Sequence, residues 1–577
     1  MTTNDEIPTT ADEYRTKKPP RVDHEEGDDR TDEPTEWIDT LALERRSYLR
    51  SIGAVGALGS LTGFTGATGG VAAQDDDRDW EAAADERIET YRTGDLEVVV
   101  EDESGEPIAG ADVDVEMRAH DFGFGVALSA PRVLEESADA DQYREHVPEL
   151  FNKAVLGNHH KWRFWEENRE TADEATQWAL DQGLDVRGHT CIWSNRDAYA
   201  VPADVEDAID EGDAEHIRER SLEHIEEIIT HYGDDIEEWD VVNEAVHEYA
   251  LVEGVYGDAV DDDPWEGEVV PWQSPLLAEW YERAQAVAEQ EGVGIAVNDY
   301  NTLVGPHDYA RDWYRAQIEF LLEEGIDLDG IGMQCHFGVD ERLTPEEILA
   351  GLDLYADYGA ELRATEFDTF QGEWSREQQA DYLYEFLKTF FSHPQTQDFV
   401  MWGFWDGDHW GESYGEEDDA PLFTEDWEPK PAYDRYVELV FEEWWTDEAG
   451  STGADGTYAT TAFLGEHELT VDTGEETITR TVDVTDADRT TTVTVTGDGE
   501  TGSGEGPPSI DGYQPADTTG DGLYNDITGS GSTTTTDVNV FFEHVDDPAV
   551  AEYPQYYDFD GNGRVTVTDV VELFDSL

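Results

Sequence analysis

From Phe122 to about Trp445 the chain alternates short apolar runs with longer stretches in which apolar residues recur every three or four positions. Each apolar run ends in polar or aromatic residues. Eight runs read as strands: Phe122–Leu128, Lys153–Gly157, Asp185–His189, Trp239–Asn243, Gly294–Asn298, Gly330–Gln334, Leu362–Glu366 and Phe399–Trp402. The intervening stretches read as amphipathic helices, with Leu222, Ile225 and Ile229 at helical spacing. Eight strand–helix alternations over about 320 residues predict an α/β fold, a (β/α)₈ barrel over 119–446, with its chemistry at the C-terminal strand ends.

The flanks carry a different pattern. Residues 95–118 read strand, turn, strand, a β-hairpin: Leu96–Val100, a turn through Gly105 and Gly110, then Ala111–Val115. Residues 451–498 are Thr/Val-rich with period-two alternation, as in His467–Val471, and predict a small β-sandwich module. Neither segment has strands enough to bury a core alone. Together they resemble the two halves of the carboxypeptidase regulatory-like β-sandwich, with the barrel inserted between them. The alternative is a hairpin capping the barrel and a separate sandwich. Residues 74–94 and 499–513 read as linkers, and 514–577 as a helical module with two Asp-rich loops.

Charge narrows the setting. The chain carries 139 Asp and Glu against 34 Lys and Arg, a formal net charge of −105. With 18 Trp, 25 Tyr and 21 Phe it is too aromatic for a disordered acidic chain. A folded protein whose self-repulsion is screened by salt fits the composition. The charge excludes nucleic acid and anionic membranes as natural partners. Cys191 and Cys335 are too few for a disulfide framework and read as buried thiols.

Residues 1–44 are polar and acidic and read as disordered. Arg45-Arg46 then precede an uncharged Gly/Ala/Leu stretch that closes on Val71-Ala72-Ala73, so 45–73 read as a twin-arginine signal peptide and the protein as secreted. No Cys follows the apolar run, so no lipid anchor is expected there.

In so acidic a chain, only the neighbours of a carboxylate single it out. Trp239-Asp240-Val241-Val242-Asn243-Glu244-Ala245 ends an apolar run on Asn-Glu, and Ala364-Thr365-Glu366-Phe367-Asp368 places a second Glu at a later strand end. Strands four and seven face each other across such a barrel, so the two carboxyls can converge as acid and nucleophile of a glycoside hydrolase.

These segments resemble glycoside hydrolase family 10, the endo-β-1,4-xylanases. Six further blocks agree in order: NHHKW (158–162), RGHTCIW (187–193), NDYN (298–301), GMQCHF (332–337), WGFWDGDHW (402–410) and PKPAY (429–433). The resemblance implies a retaining hydrolase of xylan, with Glu244 as acid/base and Glu366 as nucleophile and no cofactor for catalysis. It implies that Asn243 binds the sugar 2-hydroxyl and His336 bonds Glu366. Asn158, Lys161, His189 and Gln334 would bind glycone hydroxyls, and Trp193, Tyr300, Trp402 and Trp410 would offer faces to sugar rings. His159, His160 and Trp162 read as packing or rim residues. Two departures stand out: Gly157 where the pattern has Glu, and Ser194 where a His often follows Trp193. They bear on substrate choice, so a hydrolase of another β-linked glucan and a non-catalytic carbohydrate-binding protein are the alternatives.

In the last module, Asp558, Asp560, Asn562, Arg564 and Asp569 fit the register of a calcium loop, with Gly at position 6. Asp526, Thr528, Ser530, Ser532 and Asp537 match the same register with weaker ligands. The pair resembles a dockerin, which implies bound calcium and a cohesin-like protein partner. The charge and signal together resemble a haloarchaeal type of secreted enzyme.

Overall fold

The computed structural model describes residues 79–102, 105–260, 267–411, 419–474, 476–485 and 490–496, and scattered positions between 510 and 574. The N-terminal region 1–44, the signal 45–73 and the calcium-loop side chains lie outside the described residues, Asp537 keeping only its place in the helix Thr535–His544.

Two strands precede the barrel, β1 (Thr93–Glu101) and β2 (Asp112–His120). The barrel strands follow as β3 (Gly123–Leu128), β4 (Lys153–Leu156), β5 (Asp185–Trp193), β6 (Glu238–Asn243), β7 (Gly294–Asp299) and β8 (Gly330–Met333). After a short β9 (His336–Gly338) come β10 (Glu361–Gln371) and β11 (Thr396–Met401). Eight parallel strands close the ring, because β11 pairs with both β10 and β3. All eight expected runs are strands, and β5 and β10 run further, to Trp193 and Gln371.

The strands are continuous apolar runs because both their faces are covered: every residue of β3, β4, β6 and β8 is buried. The helices bury one stripe each. In the helix Ala214–Tyr232, Ile217, Ser221, Ile225, Ile228 and Tyr232 face inward, and Asp213 caps its start by accepting from the His216 N–H.

Charges are also buried inside the ring. Arg187, Arg363 and Lys153 meet Glu238, Asp240 and Asp398, all at 3% exposure or less. Arg187 reaches Glu238 at 3.1 Å, Arg363 reaches Glu238 at 2.8 Å, and Lys153 reaches Asp398 at 2.8 Å. Three cations against three carboxylates leave no unpaired charge, the condition under which such a layer is tolerated.

Two expectations are corrected. Residues 95–118 are not a hairpin: β1 and β2 lie in different sheets. β1 pairs with β13 (Thr457–Phe463) and, in parallel, with β16 (Thr490–Thr496), while β2 pairs with β12 (Asp447–Ser451) and β14 (Gly465–Asp472), and β14 with β15 (Thr477–Val484). Both strands point their apolar positions at one core, where Leu96, Val98 and Val100 meet Val113, Val115, Leu469 and Val471. As a hairpin they would share one face. The turn between them instead crosses from sheet to sheet, with Gly105 and Gly110 at φ 78° and 79°, where only glycine sits without strain.

Nor are residues 74–94 all linker, because Asp79–Tyr91 is a helix. Its charged composition hides Ala84 and Ile88, buried four residues apart. Arg87 donates to Ser392 Oγ, and Arg92 to the carbonyls of Phe391 at 2.8 Å and His393 at 2.7 Å, which fasten the segment to the barrel.

Cys191 and Cys335 are free and buried. Among the described residues no helix is long and apolar enough to cross a membrane, and no cluster of three or more His, Cys, Asp or Glu is placed to hold a metal ion.

Candidate active site

Glu244 follows β6 directly and Glu366 lies within β10 at the same end of the ring. They are 8% and 4% exposed, and their fixed neighbours treat them differently. Glu244 accepts from Trp193 Nε1 at 2.8 Å, Gln334 Nε2 at 2.9 Å and Asn243 Nδ2 at 3.2 Å. Burial nonetheless pushes its carboxyl up to about 7, helped by the charges of Asp299 and Glu366.

Burial acts on Glu366 in the same direction but is outweighed. His336 Nε2 lies 3.4 Å from its Oε2, and the charges of His189, His336 and Lys161 hold the carboxyl below its ordinary value. Asn298 Nδ2 donates to Glu366 Oε1 at 2.9 Å and to Asn243 Oδ1 at 3.1 Å. A chain of amides, Asn298 then Asn243, therefore joins the two carboxyls.

The surrounding residues converge on the same mouth. His336 Nδ1 lies 2.7 Å from Asp368 Oδ2, which also accepts from Trp410 Nε1 at 2.8 Å. Burial works against a charged imidazole, but Asp368 and Glu366 outweigh it and lift His336 to about 10. Lys161 donates to Asn158 Oδ1 at 3.1 Å and hangs over Trp193 and Trp402, 4.6 and 5.8 Å from the ring centroids. Burial lowers its ammonium to about 8. His189 Nδ1 lies 2.8 Å from Asp240 Oδ2, and its ring meets Trp402 edge-on. Tyr300 stacks on His247 at 3.8 Å.

All twelve barrel positions singled out from the sequence are thus placed at the C-terminal mouth, while the calcium-loop positions lie outside the described residues. Trp193, expected to offer a face, uses its N–H on Glu244 and one face on Lys161. His160 and Trp162 are fully packed, at 0% and 1% exposure. Gly157 has room: the nearest atom to a Cβ there is the Leu128 carbonyl oxygen at 3.5 Å.

The sequence reading passed over Asn298, Asp299, His247, Asp368 and Asp240. Asn298 and Asp299 close the apolar run of β7, and a polar residue there has to be paired; Asp240 and Asp368 lie inside β6 and β10, where a buried acid likewise needs a partner.

The family model for glycosyl hydrolase family 10 matches residues 115–439. Among curated proteins, anti-sigma-I factor RsgI6 of Acetivibrio thermocellus is 28% identical over 400 residues, covering 68% of this chain and 46% of that protein, so the chain spans less than half of that relative. Endo-1,4-beta-xylanase B of Thermotoga neapolitana is 26% identical over 349 residues, 58% of this chain and 93% of that one. Among solved structures, native xylanase 10B from Thermotoga maritima aligns with a TM-score of 0.46 at 22% identity, covering 56% of this chain and 96% of that one. With more than half of its length matched in one run, from within β2 to the helical segment after the barrel, the chain belongs to glycosyl hydrolase family 10.

Proposed function

We propose that the protein is a retaining endo-β-1,4-xylanase in which Glu244 is the acid/base and Glu366 the nucleophile. The observation that carries this is the opposite setting of two neighbouring buried carboxyls, Glu244 raised to about 7 and Glu366 lowered. In the first step protonated Glu244 gives its proton to the glycosidic oxygen as the bond to the anomeric carbon breaks. The Glu366 carboxylate attacks that carbon and forms a covalent glycosyl-enzyme. Glu244, now a base, takes a proton from water, which displaces Glu366 and restores the original configuration. Asn243, bonded to Glu244 and through Asn298 to Glu366, binds the 2-hydroxyl, and Lys161, Asn158, His189 and Gln334 supply polar contacts for the glycone. The carboxyl separation for this course is about 5–5.5 Å.

Glu366→Ala abolishes activity on this reading. Glu244→Ala slows xylan more than an activated aryl glycoside, whose leaving group needs little protonation. NMR of the first product shows retained configuration; inversion would overturn the mechanism. Reducing-sugar release from xylan, mixed-linkage glucan and cellulose at multimolar salt separates the xylanase reading from hydrolysis of another glucan.

The setting is part of the proposal: export by the twin-arginine route, a haloarchaeal-type acidic surface kept folded by salt, and a calcium-binding, dockerin-like C-terminal module that docks a cohesin-like protein. Its support is the Arg45-Arg46 signal, the net charge of −105 and the two Asp-rich loops. Millimolar calcium added to the calcium-stripped full chain raises its helix content if the loops bind; an unchanged spectrum counts against the module.

A further inference from the structure

Glu244 leaves β6 with a left-handed backbone, φ 58°, which a residue with a side chain holds only when its surroundings impose it. The surroundings are specific. The Glu244 N–H donates to the Asn298 carbonyl at 2.9 Å, and the N–H groups of His247 and Glu248 return to the Glu244 carbonyl at 3.0 and 2.7 Å. The turn so formed is tied to β7 through one carboxylate, Asp299, which is fully buried. Asp299 Oδ2 accepts from the Val246 N–H at 3.0 Å. Its Oδ1 accepts from the Tyr300 N–H at 2.9 Å and lies 2.6 Å from His247 Nδ1. The His247 side chain is 10% exposed, with Tyr300 stacked on its ring at 3.8 Å and Tyr309 edge-on at 6.3 Å.

We propose that Asp299 and His247 form a positioning pair for the general acid: Asp299 fixes the turn that aims Glu244, and His247 clamps Asp299 from the far side and shares its charge. The inference rests on reading Glu244 as the acid/base. Two observations carry it. Asp299 holds the turn at two consecutive residues, Val246 and His247, within three positions of Glu244. Its charge is also the largest electrostatic influence on the Glu244 carboxyl after burial, and it favours the protonated form. The other groups facing Glu244 are Glu366 from β10, Lys161 from the turn after β4 and the phenol of Tyr300, with Trp193 from β5 and Gln334 after β8 donating hydrogen bonds. Of the charged groups among these, Glu366 is needed for chemistry and Lys161 lies over Trp193 and Trp402, so Asp299 is the one built into the Glu244 turn.

The test is the pH dependence of kcat/KM in full-length Asp299→Asn and His247→Ala, on xylan and on an aryl β-xylobioside with a good leaving group. Asp299→Asn removes a charge that holds the proton on Glu244, so the basic limb moves toward lower pH by about one unit. Hydrolysis of xylan falls about tenfold or more, and the activated substrate loses less. His247→Ala leaves the Asp299 charge unshared while its two backbone donors remain, so the limb moves the opposite way. A role in folding alone would lower the rates without moving either limb, and profiles that superimpose on the native curve after scaling overturn the proposal. If Asp299→Asn does not fold, His247→Ala decides by itself: an alkaline shift supports the pair and an unmoved limb overturns it. A basic limb that survives Glu244→Ala overturns the acid/base reading instead, whereas one that Glu244→Ala removes and the pair does not move overturns only this inference.

Discussion

Trp193 donates its indole N–H to Glu244 Oε2 at 2.8 Å while one face of the same ring carries the Lys161 ammonium, 4.6 Å from the centroid. One side chain from β5 thus touches the proposed acid and holds the cation proposed to bind the glycone. The hydrogen bond favours the charged form of Glu244, so it works against burial and keeps the carboxyl near 7 rather than higher.

Trp193→Phe keeps an aromatic face and removes the donor. Glu244 then holds its proton to higher pH, and the basic limb of kcat/KM moves up by as much as about one unit. A pH profile on xylan from acid to alkaline checks this; a limb that moves down, or not at all, contradicts the role given to the indole.

Much of this site could be read from the chain because barrel strands are covered on both faces. An apolar run such as Trp239–Asn243 therefore stops where the cleft begins, and the residue after it, Glu244, stands out. Pairings across the ring could not be read that way. Nothing local joins His247 to Asp299, 52 positions on, or makes Arg187 and Arg363 share Glu238 inside the ring. Period-two alternation showed which side of β1 and β2 is buried but not which strand lies alongside. The helix Asp79–Tyr91 is hidden for another reason: its outer face is charged, and only a sparse row of Trp80, Ala84 and Ile88 marks the inner one.

Salt dependence follows from where the cations are. The chain has six lysines, and the four among the described residues, Lys153, Lys161, Lys388 and Lys430, are each 6% exposed or less. Three of them are already paired, Lys153 with Asp398, Lys388 with Glu443 and Lys430 with Asp406, and 34 Lys and Arg cannot offset 139 Asp and Glu. Lowering NaCl from about 3 M to about 0.05 M lengthens the screening distance from a few ångströms to about 10 Å or more, enough for neighbouring carboxylates to repel. Far-UV circular dichroism should show cooperative loss of structure, with activity lost in parallel. A melting temperature unchanged across that range would count decisively against salt adaptation.

Acid stability has an identifiable contributor in His160. The ring is fully buried beside Tyr232 and Trp239, with Nε2 2.9 Å from Thr176 Oγ1. Burial, aided by His189, depresses it to about 3. Above pH 6.5 neither the folded nor the unfolded chain carries this proton. Between 6.5 and about 3 the unfolded chain binds it and the fold does not, so stability falls with pH by up to about 1.4 kcal/mol per unit. His160→Gln removes that term. Urea unfolding at constant salt between pH 7 and 4.5 should show a shallower slope for the variant, even if packing loss lowers its stability at pH 7. Parallel slopes would assign the acid sensitivity elsewhere.

The two-sheet unit should melt with the barrel rather than apart from it. Its chain is divided: β1 and β2 come before the barrel, β12 to β16 after it, and no described strand of either group pairs only within its own half except β15. A chain ended after residue 446 leaves Leu96, Val98, Val100, Val113 and Val115 without the strands that cover them. Exposed apolar surface on two unpaired strands favours aggregation, so that truncation should be recovered insoluble or inactive. A chain ended after residue 500 keeps all seven strands and should keep its activity at high salt. Leu469→Ala makes the same point without truncation. The side chain is fully buried between the sheets, and its loss costs about 2–5 kcal/mol. If the unit and the barrel are one cooperative structure, calorimetry of this variant shows a single transition moved down in temperature. A first transition that moves while a second, barrel transition stays in place would show that they unfold separately.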